Sequence, residues 1–357
     1  MLLIPPWMEG VAFTVAEGRR VGLTDAAMRR VAFERPFRGV RVAGTSGRTG
    51  DQLVERCRDL RVVLPSDALF SHATAARLWR MPLPSWLDDG LHVLTPNRAP
   101  VRRPGVIGWT RGAEPLGVGL VHGLPVTTPA DTWVSLATMT GSKGGRLTRE
   151  WLVAIGDFLV SGRRTLFGRE LAPASLDDLA AAVELHGSRR GAVALNWALA
   201  RLRSPVDSPP ESFLRLGLVA AGLPEPDVQP TIRTAAGDRH PDLAYVEARL
   251  LIEYLGDVHR VDPRTWRDDL TRVQLLQDAG YRVILAGSRA LARRPPGVRS
   301  SHSPCPPQAC LTRRDFAICR APSHPAVIRA ISTPSRSPRR EGPVGRPSLC
   351  VSAPAGA

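Results

Sequence analysis

The residues best placed to do chemistry lie between 240 and 260, in the string H-P-D-L-A-Y-V-E-A-R-L-L-I-E-Y-L-G-D-V-H-R. Two short apolar runs, 243–246 and 250–255, flank the polar Glu247, Ala248 and Arg249, which is the pattern of a β-hairpin with a tight connection. Each run carries an acid that a core strand does not tolerate alone: Asp242 opens the first, and Glu253 sits inside the second between Ile252 and Tyr254. An ionised carboxylate in such a place must be paired or bind a metal. Two acids on neighbouring strands, with a backbone carbonyl near Tyr254, make an all-oxygen site suited to a hard cation, Mg²⁺ or Mn²⁺. A divalent ion held there would acidify a bound water and screen negative charge on a substrate.

Asp242 followed eleven residues later by Glu253, in an E-Y-x-G-D-x-H-R context, resembles the core of the PD-(D/E)XK nucleases. More narrowly, it is similar to a domain-of-unknown-function family related to the very-short-patch repair endonucleases. The flanks that carry the likeness are Ser208-Pro209-Pro210-Glu211, Ala221-Gly222-Leu223-Pro224, the set Trp266, Asp269 and Arg272, and Gly280-Tyr281-Arg282-Val283; together they span residues 205–294. The resemblance implies a restriction-endonuclease-like core in the order αβββαβ, with DNA as substrate. It also implies that the helix acid, Glu211, leans over the hairpin and completes the metal site. The same string, Ser-Pro-Pro-Glu, reads independently as an N-cap, Pro at N1 and Glu at N3, a capping box. Both roles stay open for Glu211. In one respect the chain departs from the superfamily: Leu255 stands two residues after Glu253, where a Lys is usual, and Lys143 is the only lysine in the chain. That departure puts turnover in question and keeps a second reading open, a DNA-binding or antitoxin-like regulator whose nuclease fold has lost activity.

Around the site, Asp257, His259 and Arg260 follow Gly256 on a loop. His259 titrates near neutrality and suits a general base or leaving-group acid, or else it packs against the next helix. Asp262-Pro263 starts a helix whose apolar positions are Trp266, Leu270, Val273 and Leu276, three to four apart. On its other faces Asp269 and Arg272 form an i,i+3 ion pair, or Arg272 reaches back to Asp257. Arg189 and Arg190, in the turn Gly187-Ser188-Arg189-Arg190-Gly191, and with them Arg260 and Arg272, are the candidates for contact with a DNA backbone.

Upstream, two regions must hold this domain. Residues 1–80 read as helix-rich: a short helix after Thr24-Asp25, a strand at 39–43, helices over 51–60 and 71–79. Helix followed by an Arg-flanked strand resembles the end of the winged-helix module that opens abortive-infection type IV antitoxins. Residues 81–203 read as α+β, with strands at 91–94, 106–109 and 121–126 and helices from Thr128-Pro129, at 149–160, 176–184 and 192–202. The string His122-Gly123-Leu124-Pro125-Val126-Thr127 through Trp133 resembles the region preceding the nuclease-like domain in relatives. His72, beside Ser71 and Thr74, lacks the strand-turn-helix setting of a nucleophile site and reads as a packing residue.

The chain has 357 residues and a net charge of +15. From Leu291 onward eleven arginines face only Asp315 and Glu341, so +9 belongs to the tail and +6 to the first 290 residues. The remainder is mildly basic, compatible with a nucleic-acid partner. Residues 295–357 hold twelve prolines and no apolar period, a mixture that cannot bury a core. They are expected to be disordered, either a basic tail or the product of an altered reading frame in GC-rich DNA. Four of the five cysteines fall there, with spacing unlike a zinc knuckle and no disulfide framework. No apolar run reaches membrane-spanning length, so no membrane partner and a cytoplasmic location are expected; oligomeric state is not legible.

Overall fold

The computed structural model is an α/β protein, as expected. It describes residues 4–30, 32–44, 48–87, 90–111, 116–139, 147–165, 167–255, 263–287, 316–319 and 327–330. The first three strands form an antiparallel sheet in which Val40–Ala43 lies between Ala12–Thr14 and Phe33–Glu34. Thr14 then closes a capping box with Glu17 at the start of the helix Val15–Arg20, and Met8, Phe13, Met28 and Phe33 form the small core beneath. The expected short helix after Asp25 is only the 3₁₀ turn Ala27–Arg29. Among the described residues before Asp51, three strands accompany one six-residue α-helix and two 3₁₀ turns.

Residues 51–136 build a six-stranded mixed sheet. Its order is Arg102–Arg103, Val106–Arg111, Leu91–Pro96, Leu69–Phe70, Leu124–Thr127, Val118–Val121, and the helices Gln52–Arg61 and His72–Leu78 share its apolar core of Val54, Leu60, Phe70, Leu91 and Val126. Leu69–Phe70 pairs with strands on both sides, so a division at residue 80 runs through this sheet. The segment 121–126, expected as one strand, is a hairpin: Val121 pairs with Leu124 across His122 and Gly123, both in the left-handed region at φ 52° and 76°, the backbone of a two-residue hairpin turn.

A helical layer follows. Pro129–Leu136, Arg149–Ser161, Leu176–His186 and Ala192–Leu199 pack around the fully buried Trp133, with Leu152, Ile155, Leu179 and Leu195. Three of the four helices are capped: Thr128, Thr148 and Ser175 accept from backbone N–H groups of the first turn.

The last part positions the candidate site. The helix Pro209–Ala220 precedes a four-stranded sheet of order Asp227–Val228, Leu243–Tyr245, Leu250–Leu255, Arg282–Gly287. The first three are antiparallel neighbours, and Leu250–Leu255 runs parallel to Arg282–Gly287, which requires the crossover helix Pro263–Asp278 between them. A side hairpin, Ile232–Thr234 with Gly237–Arg239, stands apart from this sheet. Ala244, Leu251, Leu276 and Ile232 make its core. Ser208 is the N-cap of the site helix, as read, but the capping box does not form. The Ser208 hydroxyl donates to Glu211, and the other oxygen of Glu211 accepts from the N–H of Asp207 rather than that of Ser208.

Within the tail, Phe316–Cys319 pairs with Val327–Ala330 as an antiparallel hairpin. It belongs to a separate compact unit, residues 313–357; the rest of that segment lies outside the described residues.

Candidate functional site

The hairpin register decides whether the two predicted acids meet. Leu243 pairs with Ile252 and Tyr245 with Leu250, so Asp242 stands directly across from Glu253, and directly opposed residues project from the same face. Both line one open cleft of about 350 Å³, together with Glu211, Ser208, Tyr254, Leu255, Arg272 and Leu285. Glu211 arrives from the first turn of the site helix, and its side chain is 5% exposed.

Each acid is held by specific donors. The N–H of Tyr254 donates to Asp242 Oδ2 at 2.7 Å. Arg272 grips Glu253 with both ends of its fork, Nε to Oε1 at 3.1 Å and Nη2 to Oε2 at 3.3 Å, and Nη2 also donates to the carbonyl of His240. Glu211 accepts from Ser208 Oγ at 2.7 Å, from the Asp207 N–H at 3.1 Å and from Gln229 Nε2 at 3.3 Å. Burial raises all three acids above the ordinary carboxylate range. It takes Glu211 to about 7, with the charge of Asp242 adding to the effect, and Asp242 to about 7, with the charge of Glu253 adding. Glu253 is raised by burial and partly pulled back by Arg272. Three acids thus oppose one another's ionisation around a single guanidinium.

The donor set, three carboxylates and backbone carbonyls, is chemically what a hard divalent cation takes. Asp242 and Glu253 are the pair that would hold it. Among the described residues no three His, Cys, Asp or Glu side chains are already gathered into a cation cage; both oxygens of Glu253 are engaged by Arg272 instead. His259 and Arg260 lie outside the described residues, as do Asp257 and the side chain of Asp269. Arg272 pairs with Glu253, nineteen residues away in sequence; Asp269 and Asp257, its expected partners, are among the groups not described. Leu255 contributes an apolar wall where the resemblance leads one to expect a lysine, and the positive charge of the cleft comes from the crossover helix. Arg189 and Arg190 are exposed in the turn after Leu176–His186, where Arg189 donates to the Leu185 carbonyl and the Arg190 carbonyl meets His186 Nε2 at 3.1 Å; neither lines the cleft.

Sequence reasoning missed Gln229, Asp207 and Arg169. Arg169, from the short hairpin Arg164–Thr165 and Gly168–Arg169, donates to Asp207 Oδ1 at 2.5 Å and to Gln229 Oε1 at 3.2 Å, and so braces two of the three partners of Glu211. Gln229 is buried with φ 45°, and its main-chain N–H donates to the Asp242 carbonyl at 3.1 Å. A buried Gln beside two acids carries no sequence pattern by which to find it. No helix among the described residues is long and apolar enough to cross a membrane.

No family model matches this chain, and no curated protein matches it. Among solved structures, it is similar to the RV2827C protein from Mycobacterium tuberculosis at 17% identity, over 55% of this chain and 78% of that one, with a TM-score of 0.30. At that score the likeness supports no argument about fold or function.

Proposed function

We propose that residues 205–294 form a restriction-endonuclease-like domain that hydrolyses phosphodiester bonds in DNA with Mg²⁺ or Mn²⁺, as an endonuclease of repair or defence. The observation that carries this reading is the convergence of Glu211, Asp242 and Glu253 on one open cleft, with the last two directly opposed across adjacent strands. Three buried acids cost stability where they stand, and groups whose ionisation is shifted by burial and by one another cluster at functional sites. A divalent ion bound there would lower the pKa of a water and neutralise charge building on the phosphate.

The roles of the chain's own groups follow from their partners. Asp242 and Glu253, with a carbonyl near Tyr254, hold the cation, and the Tyr254 N–H fixes the orientation of Asp242. Ser208 and Gln229 hold Glu211, whose pKa of about 7 suits proton exchange at neutral pH. Arg272 offers charge to the phosphate, Arg260, Arg189 and Arg190 contact the DNA backbone, and His259 serves as base or leaving-group acid.

The second reading, a DNA-binding or antitoxin-like regulator without turnover, is favoured by Leu255 in the lysine position and by the Arg272 fork on Glu253. Nicking of supercoiled plasmid separates the two. Under the first reading the wild-type chain nicks in Mg²⁺ or Mn²⁺, and Asp242→Ala and Glu253→Ala each lower the rate by on the order of 10²-fold or more. Binding of DNA without cleavage by all three proteins establishes the second reading and rejects the first.

A further inference from the structure

Among the described residues, Arg272 is the one side-chain cation lining the cleft. It is placed as a counter-ion more than as a structural tether: its side chain is 36% exposed, whereas that of Glu253 is 11% exposed. Its fork takes both oxygens of Glu253, and its Nη2 also reaches the carbonyl of His240. The fork takes one lone pair on each oxygen of Glu253 and sets a positive charge against it, so a second cation at this carboxylate meets a charge already in place. Asp242, directly opposite, is oriented by the Tyr254 N–H and has no guanidinium partner among the described residues.

We infer that Arg272 is the resident cation of the site and competes with a divalent ion for Glu253, so that ion entry requires the guanidinium to leave and frees it to meet a phosphate. This rests on the metal-binding reading of the cleft given above. Competition is the expected outcome when two cations need the same two oxygens, and the partial exposure of Arg272 allows the exchange without opening the core. Arg272 is on this view a positioning residue that sets the affinity for the ion, and does not itself react.

The test is calorimetric titration of Mn²⁺ into the metal-free full-length chain, with Arg272→Met, Arg272→Lys and Glu253→Gln beside wild type. Expected is a dissociation constant that tightens from Arg to Lys to Met, by about fivefold or more over the series, and weakens in Glu253→Gln. The lysine variant keeps the charge and the fold but not the fork, so the trend is readable from it alone if the methionine variant does not fold. Equal or weaker affinity in the Arg272 variants, with Glu253→Gln still impaired, overturns the competition while leaving the cation site standing. No Mn²⁺ binding by any of the proteins, or binding indifferent to Glu253→Gln, overturns the cation site and this inference together.

Discussion

Two buried acidic clusters meet on the helix Pro209–Ala220, and they are built on opposite terms. On the side facing the helical layer, Asp157 accepts from the Arg203 N–H at 2.7 Å, from Ser212 Oγ at 2.7 Å and from Arg215 Nη2 at 2.9 Å. Arg215, 1% exposed, also reaches Glu225 and the carbonyl of Arg201. Asp157 and Arg215 are buried and paired with each other, so the cluster fastens Arg149–Ser161 to the site helix, with Glu225 at its exposed rim and Arg215 Nε unpartnered among the described residues. In the cleft, which is open to solvent, three carboxylates face one guanidinium, and it pairs with Glu253 alone among them. Buried charge is tolerated when it is partnered; charge that is under-partnered beside an opening is the kind that binds or reacts.

The comparison is most sharply broken by removing one partner from the closed cluster. Asp157→Ala leaves Arg215 buried with its charge half compensated, and the expected loss is about 3–5 kcal/mol of unfolding free energy by denaturant titration. Replacing both ends by apolar residues, Asp157→Leu with Arg215→Met, should recover most of it, as buried pairs often exchange for packing at little net cost. A loss under about 1 kcal/mol in the single variant would mean that the cluster does not fasten the helix.

In the cleft the expected sign is reversed. Asp242 has a folded pKa of about 7, above its unfolded value, so the folded chain binds more protons between about pH 4 and 7. Stability contributed by this group is therefore present below the unfolded pKa and lost as pH rises to 7. Asp242→Asn removes that dependence and should stabilise the chain by about 2 kcal/mol at pH 8, discounting for partial exposure. Denaturation midpoints of wild type and variant that run parallel from pH 5 to 8 would contradict this account.

A third buried group sets the acid limb. His72, at φ 49°, stacks on Trp109 with ring centroids 3.9 Å apart and shares a 3.0 Å hydrogen bond with Ser71. Trp109 Nε1 in turn donates to His92 Nδ1 at 2.9 Å. Burial, with the neighbouring His92, lowers the pKa of His72 to about 3. A depressed histidine costs stability as pH falls below its unfolded pKa near 6.5, by up to about 2 kcal/mol at pH 5. His72→Asn, which accepts the left-handed backbone, should flatten that limb of the thermal-melting profile and leave the limb above pH 7 unchanged.

How much of this was legible before folding differs element by element. Thr128-Pro129 and the carboxylate-bearing hairpin were readable because caps and tight turns are local: a few bonded neighbours settle them. The hairpin 118–127 was misread because an apolar run hides a turn when only His122 and Gly123 mark it. Leu69–Phe70 was missed altogether, since a two-residue strand exists only through the neighbours that pair with it. The capping box failed because Glu211, free in an isolated helix to reach Ser208 N–H, is drawn instead to Gln229 and Asp207.

The sequence by itself determined that Asp242 and Glu253 would face each other. A short turn around Ala248 leaves one register in which the apolar residues stay on the core side, and in that register the two acids are cross-strand partners. Tertiary structure alone decided what surrounds them. Arg272 reaches Glu253 only because the crossover helix lies where the parallel strand Arg282–Gly287 requires, and Gln229 reaches Glu211 from eighteen residues away, held in turn by Arg169 from sixty residues before it. Such partners depend on packing directions between distant segments, which no spacing in the chain encodes.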